Sequence, residues 1–189
     1  MIAAVVLAAG LSRRMGRDKL LLPLSGRPVF TYPVDLIAAL PFNQRILVTN
    51  TPDIADYART HGFSVVPSPY AAQGMGHSVA AGAGAVDPDM TAALFLNADQ
   101  PFLTADLVHS LCKTCLETDQ IVVPVVQDRP RSPCVFPRRF LPELMTLTGD
   151  QGGKRVYRQH PEQTKMINWP HATVFVDLDD PETYRKYAD

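Results

Sequence analysis

The segment that most constrains this chain lies near its N-terminus, where an apolar run is followed directly by a glycine and a group of cations. Residues 2–9 are short and apolar enough for a fully buried strand. The run ends at Gly10, a residue type that lets the backbone turn sharply and approach a ligand closely. A hydroxyl, a glycine and four cations follow within eight residues: Ser12, Arg13, Arg14, Gly16, Arg17 and Lys19. Such a loop after a strand is suited to hold phosphates, since backbone N–H groups and cationic side chains supply the donors.

Two named phosphate-binding motifs do not fit this loop. Walker A requires G-x-x-x-x-G-K-[ST], whereas Gly10 and Gly16 are six apart here and Lys19 is followed by Leu20. The dinucleotide fingerprint G-x-G-x-x-G is also absent. The residue types alone therefore leave two interpretations open: a loop that binds phosphates, or a basic surface loop after the first strand.

Short apolar runs alternate with helical patterns along the chain. The runs predict strands over residues 2–9, 45–49, 63–66, 91–97, 121–126, 134–136 and 174–176. The patterns between them predict helices over residues 29–40, 51–60, 77–86, 104–117, 139–146, 153–159 and 182–187. This alternation is typical of a three-layer α/β fold, in which helices flank a mostly parallel central sheet.

Polar segments follow several of the predicted strands. In a parallel sheet, ligands bind beyond the carboxyl ends of the strands, so residues 10–19, Asp99, Asp177 and Asp179 are expected at one edge. Carboxylates opposite a cationic loop are well placed to hold Mg²⁺ against nucleotide phosphates. We therefore predict that Asp99 is a metal ligand and that Asp179 or Asp177 supplies a second oxygen. The alternative is that Asp99 caps a turn and that residues 177–180 form a solvated loop.

Length and composition restrict the classes of function. The 189 residues suit one domain, residues 1–189, and 46% hydrophobic residues are typical of a soluble globular protein. A net charge of -1, from 18 basic and 19 acidic residues, gives no reason to expect nucleic acid or an anionic membrane as a partner. No apolar run approaches the length of a membrane span, and no cation precedes the first run as in a signal peptide. The three cysteines are few and odd in number, which argues against a disulfide framework, so a cytoplasmic protein is expected.

The other reactive residue types form no competing constellation. The five histidines are scattered and make no H-E-x-x-H motif, and no G-x-S-x-G motif occurs. Cys112 and Cys115 form a C-x-x-C inside a predicted helix without a second pair, which favours packing on the helix face over metal or redox chemistry. Phosphoryl-type transfer needs none of these groups, because positioning and charge neutralisation do most of the work.

Residues 7–19 read L-A-A-G-L-S-R-R-M-G-R-D-K and match a motif of the form L-A-[AG]-G-x-S-x-R-M-G-x-x-K. Further matches to the same family lie at residues 21–28, 73–78, 98–101, 149–153 and 177–182. Together these segments resemble the molybdenum-cofactor nucleotidyltransferases, which belong to the wider class of Rossmann-like pyrophosphorylases. The resemblance extends over essentially the whole chain, and the first motif together with Asp-Gln-Pro is specific.

The resemblance implies a Rossmann-like enzyme that transfers a cytidylyl or guanylyl group from a nucleoside triphosphate to the phosphate of molybdopterin, with Mg²⁺ and with release of pyrophosphate. Ala9 fits the cytidylyl branch, whose signature reads A-A-G, whereas the guanylyl branch usually has glycine there. The Gly-Asp-Gln-Gly segment is also similar to the cytidylyl branch. The implied substrates are therefore CTP and molybdopterin, and a molybdoenzyme is a possible recipient of the product.

The resemblance also implies residue roles. The implied nucleotide-binding residues are Leu7, Ala8, Ala9, Gly10, Ser12, Arg14, Lys19, Gly74 and Ser78. The implied catalytic residues are Arg14, Lys19 and Asp99, and the implied metal ligands are Asp99 with Asp179 or Asp177. Asp150, Gln151 and Gly152 would face the acceptor.

Two segments depart from the family pattern. Residues 130–133 read Pro-Arg-Ser-Pro where the family often has Gly-[His/Asn]-Pro, and Asp180 replaces a threonine. A guanylyltransferase for the same cofactor, or a transferase for another phosphorylated acceptor, therefore stays open. A nucleotide-binding module that only delivers cofactor is a further alternative. Intact Lys19 and Asp99 argue against it, because binding alone would not need the metal carboxylate.

Overall fold

The structure, a computed structural model, describes residues 1–10 and 18–187, which form one eight-stranded sheet, a small hairpin and seven helices. The strands are β1 (Ile2–Leu7), β2 (Pro23–Leu24), β3 (Arg27–Pro28), β4 (Gln44–Val48), β5 (Ser64–Val66), β6 (Ala92–Asn97), β7 (Ile121–Val126), β8 (Arg129–Pro130), β9 (Cys134–Pro137) and β10 (Thr164–Asn168). The helices are α1 (Thr31–Ala39), α2 (Pro52–Thr60), α3 (Met75–Gly84), α4 (Ala105–Thr118), α5 (Leu141–Met145), α6 (Lys154–Gln159) and α7 (Pro181–Tyr187). None of these helices is long and apolar enough to cross a membrane.

The sheet is mixed but mostly parallel, as the sequence predicted. Its strand order is β10-β7-β9-β6-β1-β4-β5, with β8 paired to β7, while β2 and β3 form the separate hairpin. Strand β1 runs parallel to β4 and β6, β4 runs parallel to β5, and β10 runs parallel to β7. Strand β9 lies antiparallel between β6 and β7, and β8 is antiparallel to β7. Six strands therefore end at the same edge.

Both faces of the sheet are covered by helices, which confirms the three-layer prediction. Ala4 and Val6 of β1 belong to one hydrophobic core, together with buried side chains of α1, α2 and α4. Ala3 and Val5 belong to a second core, together with α3, α5 and α6. A central strand that is buried on both faces has no polar face, and this accounts for its continuous apolar run.

Most predicted elements occur within a few residues of their expected bounds. Helix α4 begins after Thr104, whose hydroxyl accepts a hydrogen bond from the Leu107 N–H at 3.4 Å, as expected of an N-cap. On the same helix, Cys115 is buried in the core and Cys112 packs beside it. Burial raises the pKa of both thiols to about 12, so they stay protonated at neutral pH. The position of the pair in the core agrees with the packing interpretation.

The prediction is wrong near the C-terminus. Residues 174–176 do not form a strand: Ala172–Phe175 is a 3-10 turn that buries Val174 and Phe175 in the first core. The outermost strand on this side of the sheet is instead β10, which pairs in parallel with β7. Most of β10 is exposed or half-buried, so it lacks the apolar run that marks an interior strand. The short strand β8 was likewise missed, because it lies within a segment that prolines interrupt.

Candidate active site

Three segments of the chain meet at the carboxyl ends of β1 and β6. The register of these neighbouring strands places Leu7 opposite Asn97, and the Ala98 N–H donates to the Leu7 carbonyl at 3.0 Å. The Leu178 N–H donates to the carbonyl of Asp99 at 3.1 Å, which brings the acidic C-terminal segment to the same edge. The structure thus brings together the three segments that the sequence predicted at one edge, although the third of them does not follow a strand.

These segments line a cavity of about 500 Å³, the first cavity. The sequence-predicted residues that line it are Leu7, Ala9, Gly10, Lys19, Gly74, Ser78, Asp99, Asp150, Asp177 and Asp179. Ala8 is buried behind its wall. Ser12 and Arg14 lie outside the described residues, so their predicted roles stay predictions. The volume falls within the range that small-molecule sites usually have, roughly 300–1,000 Å³.

Lys19 is the central charged group of the described part of this cavity. It begins a 3-10 turn, Lys19–Leu21, and its ammonium donates hydrogen bonds to the carboxylates of Asp99 and Asp179. Burial by itself lowers the pKa of Lys19, but the two carboxylates outweigh burial and leave the pKa above its usual value. Lys19 is therefore a permanent cation on the cavity wall.

The Asp99 carboxylate has the features of a metal ligand. Burial raises its pKa, the nearby Lys19 opposes this rise, and its Oδ1 atom is buried without a hydrogen-bond partner among the described residues. The described residues contain no group of three or more His, Cys, Asp or Glu side chains placed to hold a metal ion. Mg²⁺ usually takes one or two carboxylates and completes its shell with phosphate oxygens and water. The unsatisfied oxygen of Asp99 and the adjacent Asp179 fit that donor set.

Asp177 is a third partly buried carboxylate at this edge, beside Asp99 and Asp179. Burial raises its pKa to about 7, and the charges of Asp99 and Asp179 add to the rise, while Lys19 opposes it. Near neutral pH this carboxyl is therefore only partly ionised in the folded protein. A divalent cation beside it would favour the ionised form.

The raised pKa of Asp177 predicts a pH-dependent stability in the presence of EDTA. Between the ordinary pKa of 3.8 and the folded value of about 7, the folded state holds a proton that the unfolded state has lost. The free energy of unfolding should therefore fall as pH rises through this window. Urea unfolding at pH 5 and pH 7.5 measures the slope. Asp177→Asn should reduce the dependence of the free energy of unfolding on pH. The control Glu117→Gln, on the exposed surface of α4, should leave it unchanged. An unchanged dependence in Asp177→Asn would contradict a raised pKa at Asp177.

Gly74 and Gly149 hold two loops together at the rim of the first cavity. Gly74 has φ +127°, and a Cβ added there would lie 2.1 Å from the backbone carbon of Gly149. The Gly76 N–H donates to the Gly149 carbonyl at 2.8 Å. The loop before α3 is therefore locked onto the loop that carries Asp150, and both line the cavity. Only glycine allows this approach.

We expect Gly74→Ala to destabilise the fold by about 2 kcal/mol or more, because the new Cβ collides with backbone and φ lies in a region that alanine avoids. Gly84→Ala, in α3, is the matched control: its Cβ meets only Met145 Cε, at 3.8 Å, and alanine favours a helix. Thermal unfolding compares the two variants. Equal melting temperatures would show that the Gly74–Gly149 contact is unimportant.

Gly10 has no comparable packing contact with the part of the chain that the structure describes. A Cβ added to Gly10 would meet no atom of residues 1–10 or 18–187 within 4 Å, and its φ lies outside the left-handed region in which glycine is favoured. Gly10 faces the open first cavity, so the space that it leaves is available to a ligand.

The residues that were expected to face the acceptor separate in the structure. Asp150 lines the first cavity, whereas Gly152 lines a second cavity of about 200 Å³. Gln151 lines neither; its side chain is exposed and accepts a hydrogen bond from Arg155. Leu7, Met75 and Asn97 line both cavities, which are therefore adjacent.

Sequence reasoning missed three polar residues of this region. Asn97, the last residue of β6, lies between the two cavities. Gln73 lines the first cavity. Gln100 is 1% exposed, and its Nε2 donates to the Ser132 carbonyl at 3.2 Å. The position of Asn97 and Gln100 on either side of Ala98-Asp99 was the available signal, since residues that follow a central strand enter the ligand edge.

A mostly parallel sheet whose strand ends open into a cavity of mixed charge is the arrangement in which α/β proteins bind their ligands. The chain belongs to the MobA-like NTP transferase domain family, whose model matches residues 4–164. It is therefore a nucleotidyltransferase, as the sequence predicted.

Three curated relatives share part or most of the chain. A probable molybdenum cofactor guanylyltransferase of Natranaerobius thermophilus is 26% identical over 126 residues, 66% of this chain and 60% of that protein. The molybdenum cofactor guanylyltransferase of Vibrio vulnificus is 28% identical over 195 residues, 97% of this chain and 93% of that protein. The purine catabolism protein PucB of Bacillus subtilis is 25% identical over 201 residues, 97% and 94% of the two chains. The chain thus spans about three fifths of the first relative and nearly all of the other two.

Solved structures share the fold. Rv0371c from Mycobacterium tuberculosis superposes with a TM-score of 0.84 at 25% identity, covering 99% of this chain and 96% of that one. A manganese complex of Rv0371c has a TM-score of 0.75 at 24% identity, covering 99% and 97%, and this likeness concerns the fold alone. A nucleotidyl transferase from Methanothermobacter thermautotroptrophicus has a TM-score of 0.82 at 20% identity, covering 100% of this chain and 96% of that one, and this likeness too concerns the fold alone. These neighbours confirm the Rossmann-like nucleotidyltransferase fold.

Proposed function

We propose that this chain transfers the CMP group of CTP to the phosphate of molybdopterin, giving the cytosine dinucleotide form of the cofactor and pyrophosphate. The observation that carries the proposal is the pairing of Lys19 with Asp99 and Asp179 on the wall of the first cavity. The family membership supports nucleotidyl transfer, and the names of two relatives support the molybdenum cofactor as acceptor. We also propose that the 189 residues act as one domain in the cytoplasm, where the free thiols of its three cysteines would persist.

The reaction requires two anions to meet. An oxygen of the acceptor phosphate attacks the α-phosphorus of CTP, the bond from that phosphorus to the bridging oxygen breaks, and pyrophosphate leaves with the electron pair. The acceptor phosphate is already ionised near neutral pH, so no side-chain general base is required. Lys19 supplies a fixed positive charge for the triphosphate, and preorganised charge of this kind is the main source of rate in such transfers. Arg14 remains a predicted second cation.

Asp99 is the proposed anchor of a divalent cation, with Asp179 or Asp177 as its neighbour. The unsatisfied Oδ1 of Asp99 supports this role. Bound Mg²⁺ would neutralise charge on the triphosphate. Because a structural neighbour was solved with manganese, assays with Mg²⁺, Mn²⁺ and EDTA should be compared.

The choice of CTP over GTP is proposed to depend on Ala9. Its side chain lines the first cavity and is 7% exposed, so its methyl group occupies space that a glycine would leave to a larger base. We expect Ala9→Gly to raise the GTP/CTP ratio of kcat/KM by about tenfold, the size of effect that one buried methyl group produces. The control is Ala72→Gly, which removes a methyl group from another residue that lines the same cavity, and its GTP/CTP ratio of kcat/KM is compared with that of Ala9→Gly. An unchanged ratio in Ala9→Gly would remove Ala9 from base selection.

The proposal is tested by pyrophosphate release from purified protein with molybdopterin and each of CTP, GTP, ATP and UTP. Release with CTP alone is the expected result. Release with GTP alone would make the chain a guanylyltransferase for the same cofactor, which is the second candidate because the relatives carry that name. Absence of release with every nucleotide would reject molybdopterin and direct attention to other phosphorylated acceptors. A molybdoenzyme as recipient of the product is part of the same proposal.

A further inference from the structure

The second cavity adjoins the first and differs from it in charge. Phe95, Phe136 and Tyr157 give it aromatic walls, and its volume of about 200 Å³ suits a single flat ring system rather than a whole nucleotide. Phe95 and Phe136 meet edge to face, with ring centroids 5.9 Å apart. A Cβ added to Gly153 would lie 2.8 Å from Phe136, so glycine is needed for the wall to close.

Two residues that line this cavity carry a charge at neutral pH, and both are positive: Arg131 and Lys154. Burial raises the pKa of Cys134 to about 12, and burial likewise raises that of Tyr157 to about 12, so both remain neutral on the same wall. The cavity therefore offers positive charge without a compensating carboxylate among its described lining residues.

Hydrogen bonds fix the backbone at Arg131, whereas one nitrogen of its side chain has no hydrogen-bond partner among the described residues. Its backbone N–H donates to the Pro124 carbonyl at 2.8 Å, and Gln100 fixes the next residue through the Ser132 carbonyl at 3.2 Å. The Nε atom of Arg131 is buried and has no hydrogen-bond partner among the described residues. Buried donors are nearly always paired, so an unpaired guanidinium nitrogen on a cavity wall indicates an acceptor atom that the described residues do not supply, such as an atom of a bound ligand.

We propose that Arg131 and Lys154 bind a negatively charged group on the ring end of the acceptor, separate from the phosphate that reacts. The acceptor would then be an anionic heteroaromatic phosphomonoester, with its ring between the aromatic walls. Its phosphate would point past Asn97, which lines both cavities, toward Lys19. This inference rests on the proposed function for the identity of the acceptor. Arg131 and Lys154 then determine the specificity for the acceptor, while nucleotidyl transfer takes place in the first cavity.

The test uses pterin-6-carboxylate as a fluorescent probe, because it has the flat ring and a negative group but no phosphate. We expect the wild type to bind it at least about tenfold more tightly than unsubstituted pterin, since a charge-assisted hydrogen bond is worth that factor. Arg131→Gln and Lys154→Ala should each remove most of that preference. With molybdopterin, the same variants should raise the KM for the acceptor about tenfold and leave kcat and the KM for CTP near their wild-type values.

Arg131 and Lys154 each have a matched control close by in the sequence. Arg129→Gln removes an exposed cation of β8, and Arg158→Ala removes an exposed cation of α6; neither side chain lines the cavity. Both controls should bind the probe as the wild type does. Melting temperatures check that Arg131→Gln is folded, and Lys154 is exposed, so its variant reports on binding even if the arginine variant unfolds.

The outcomes separate this inference from the proposed function. The inference is overturned if Arg131→Gln and Lys154→Ala bind the probe as tightly as the wild type does. It is also overturned if both controls lose as much affinity as these two variants, or if the wild type does not bind the probe. Transfer to molybdopterin with an unchanged acceptor KM in both variants also overturns it and leaves the proposed function intact. Probe binding that depends on Arg131 without transfer to molybdopterin supports the anion site and rejects molybdopterin as the acceptor.

Discussion

Lys19→Ala is expected to lower kcat for nucleotidyl transfer by about 100- to 1,000-fold, the loss that follows removal of one preorganised charged donor from an active site. Lys19 contacts both Asp99 and Asp179 in the first cavity, and its raised pKa keeps it charged at any physiological pH. Without the ammonium, the negative charge that develops on the departing pyrophosphate would lose its fixed partner. Pyrophosphate release under saturating nucleotide measures the effect.

Lys165→Ala is the control for this variant. Lys165 is an exposed cation on the edge strand β10 and lines neither of the two adjacent cavities. It should retain wild-type kcat. Lys19→Arg should recover only part of the activity, since a planar guanidinium cannot reproduce the contacts of a compact ammonium. Turnover within twofold of wild type in Lys19→Ala would remove Lys19 from the catalytic residues.

Asp99→Asn is expected to reduce transfer at least about 100-fold at every concentration of divalent cation, because the amide keeps the shape of the side chain but removes its negative charge. Stability should respond differently. Burial raises the pKa of Asp99, so keeping this group ionised costs free energy in the fold, and Lys19 retains Asp179 in the variant. We expect an equal or higher melting temperature together with the loss of activity.

Asp56→Asn provides the comparison for Asp99→Asn. Asp56 is exposed on α2 and pairs with Arg59 on its own helix, so its removal should change neither activity nor metal dependence. Isothermal titration with Mg²⁺ and a non-hydrolysable nucleotide separates binding from turnover. Normal activity in Asp99→Asn, or loss of activity only through unfolding, would contradict a metal-binding role.

The ligand edge was predictable because its signals are local. An apolar run without a polar face indicates an interior strand, and the residues that follow such a strand must leave the sheet at its carboxyl end. Residues 10–19 and Asp99 follow two runs of this kind, and the structure places Gly10, Lys19 and Asp99 in one cavity. The motif resemblance added the type of reaction, which local patterning cannot supply.

Which residues line which of the two cavities could not be predicted from local signals. Asp150 was expected beside the acceptor but lines the first cavity, because Gly149 packs against Gly74 and carries the loop there. Arg131 was known only as part of a departure from a motif. The burial of its unsatisfied Nε, and its place in one cavity with residues of β6, β9 and α6, depend on the tertiary structure. These relations join residues far apart in the chain.

The sequence by itself determined the α/β class, the sheet edge that opens into the first cavity, and Lys19 and Asp99 as candidate residues there. It could do so because periodicity and motif spacing are carried by neighbouring residues. Only the tertiary structure decided that β10 rather than residues 174–176 completes the sheet and that Arg131 and Lys154 line one cavity. An exposed edge strand has little apolar signal of its own, and its pairing depends on the strand beside it. Contacts between distant loops depend on sheet order and close packing, which no short segment encodes.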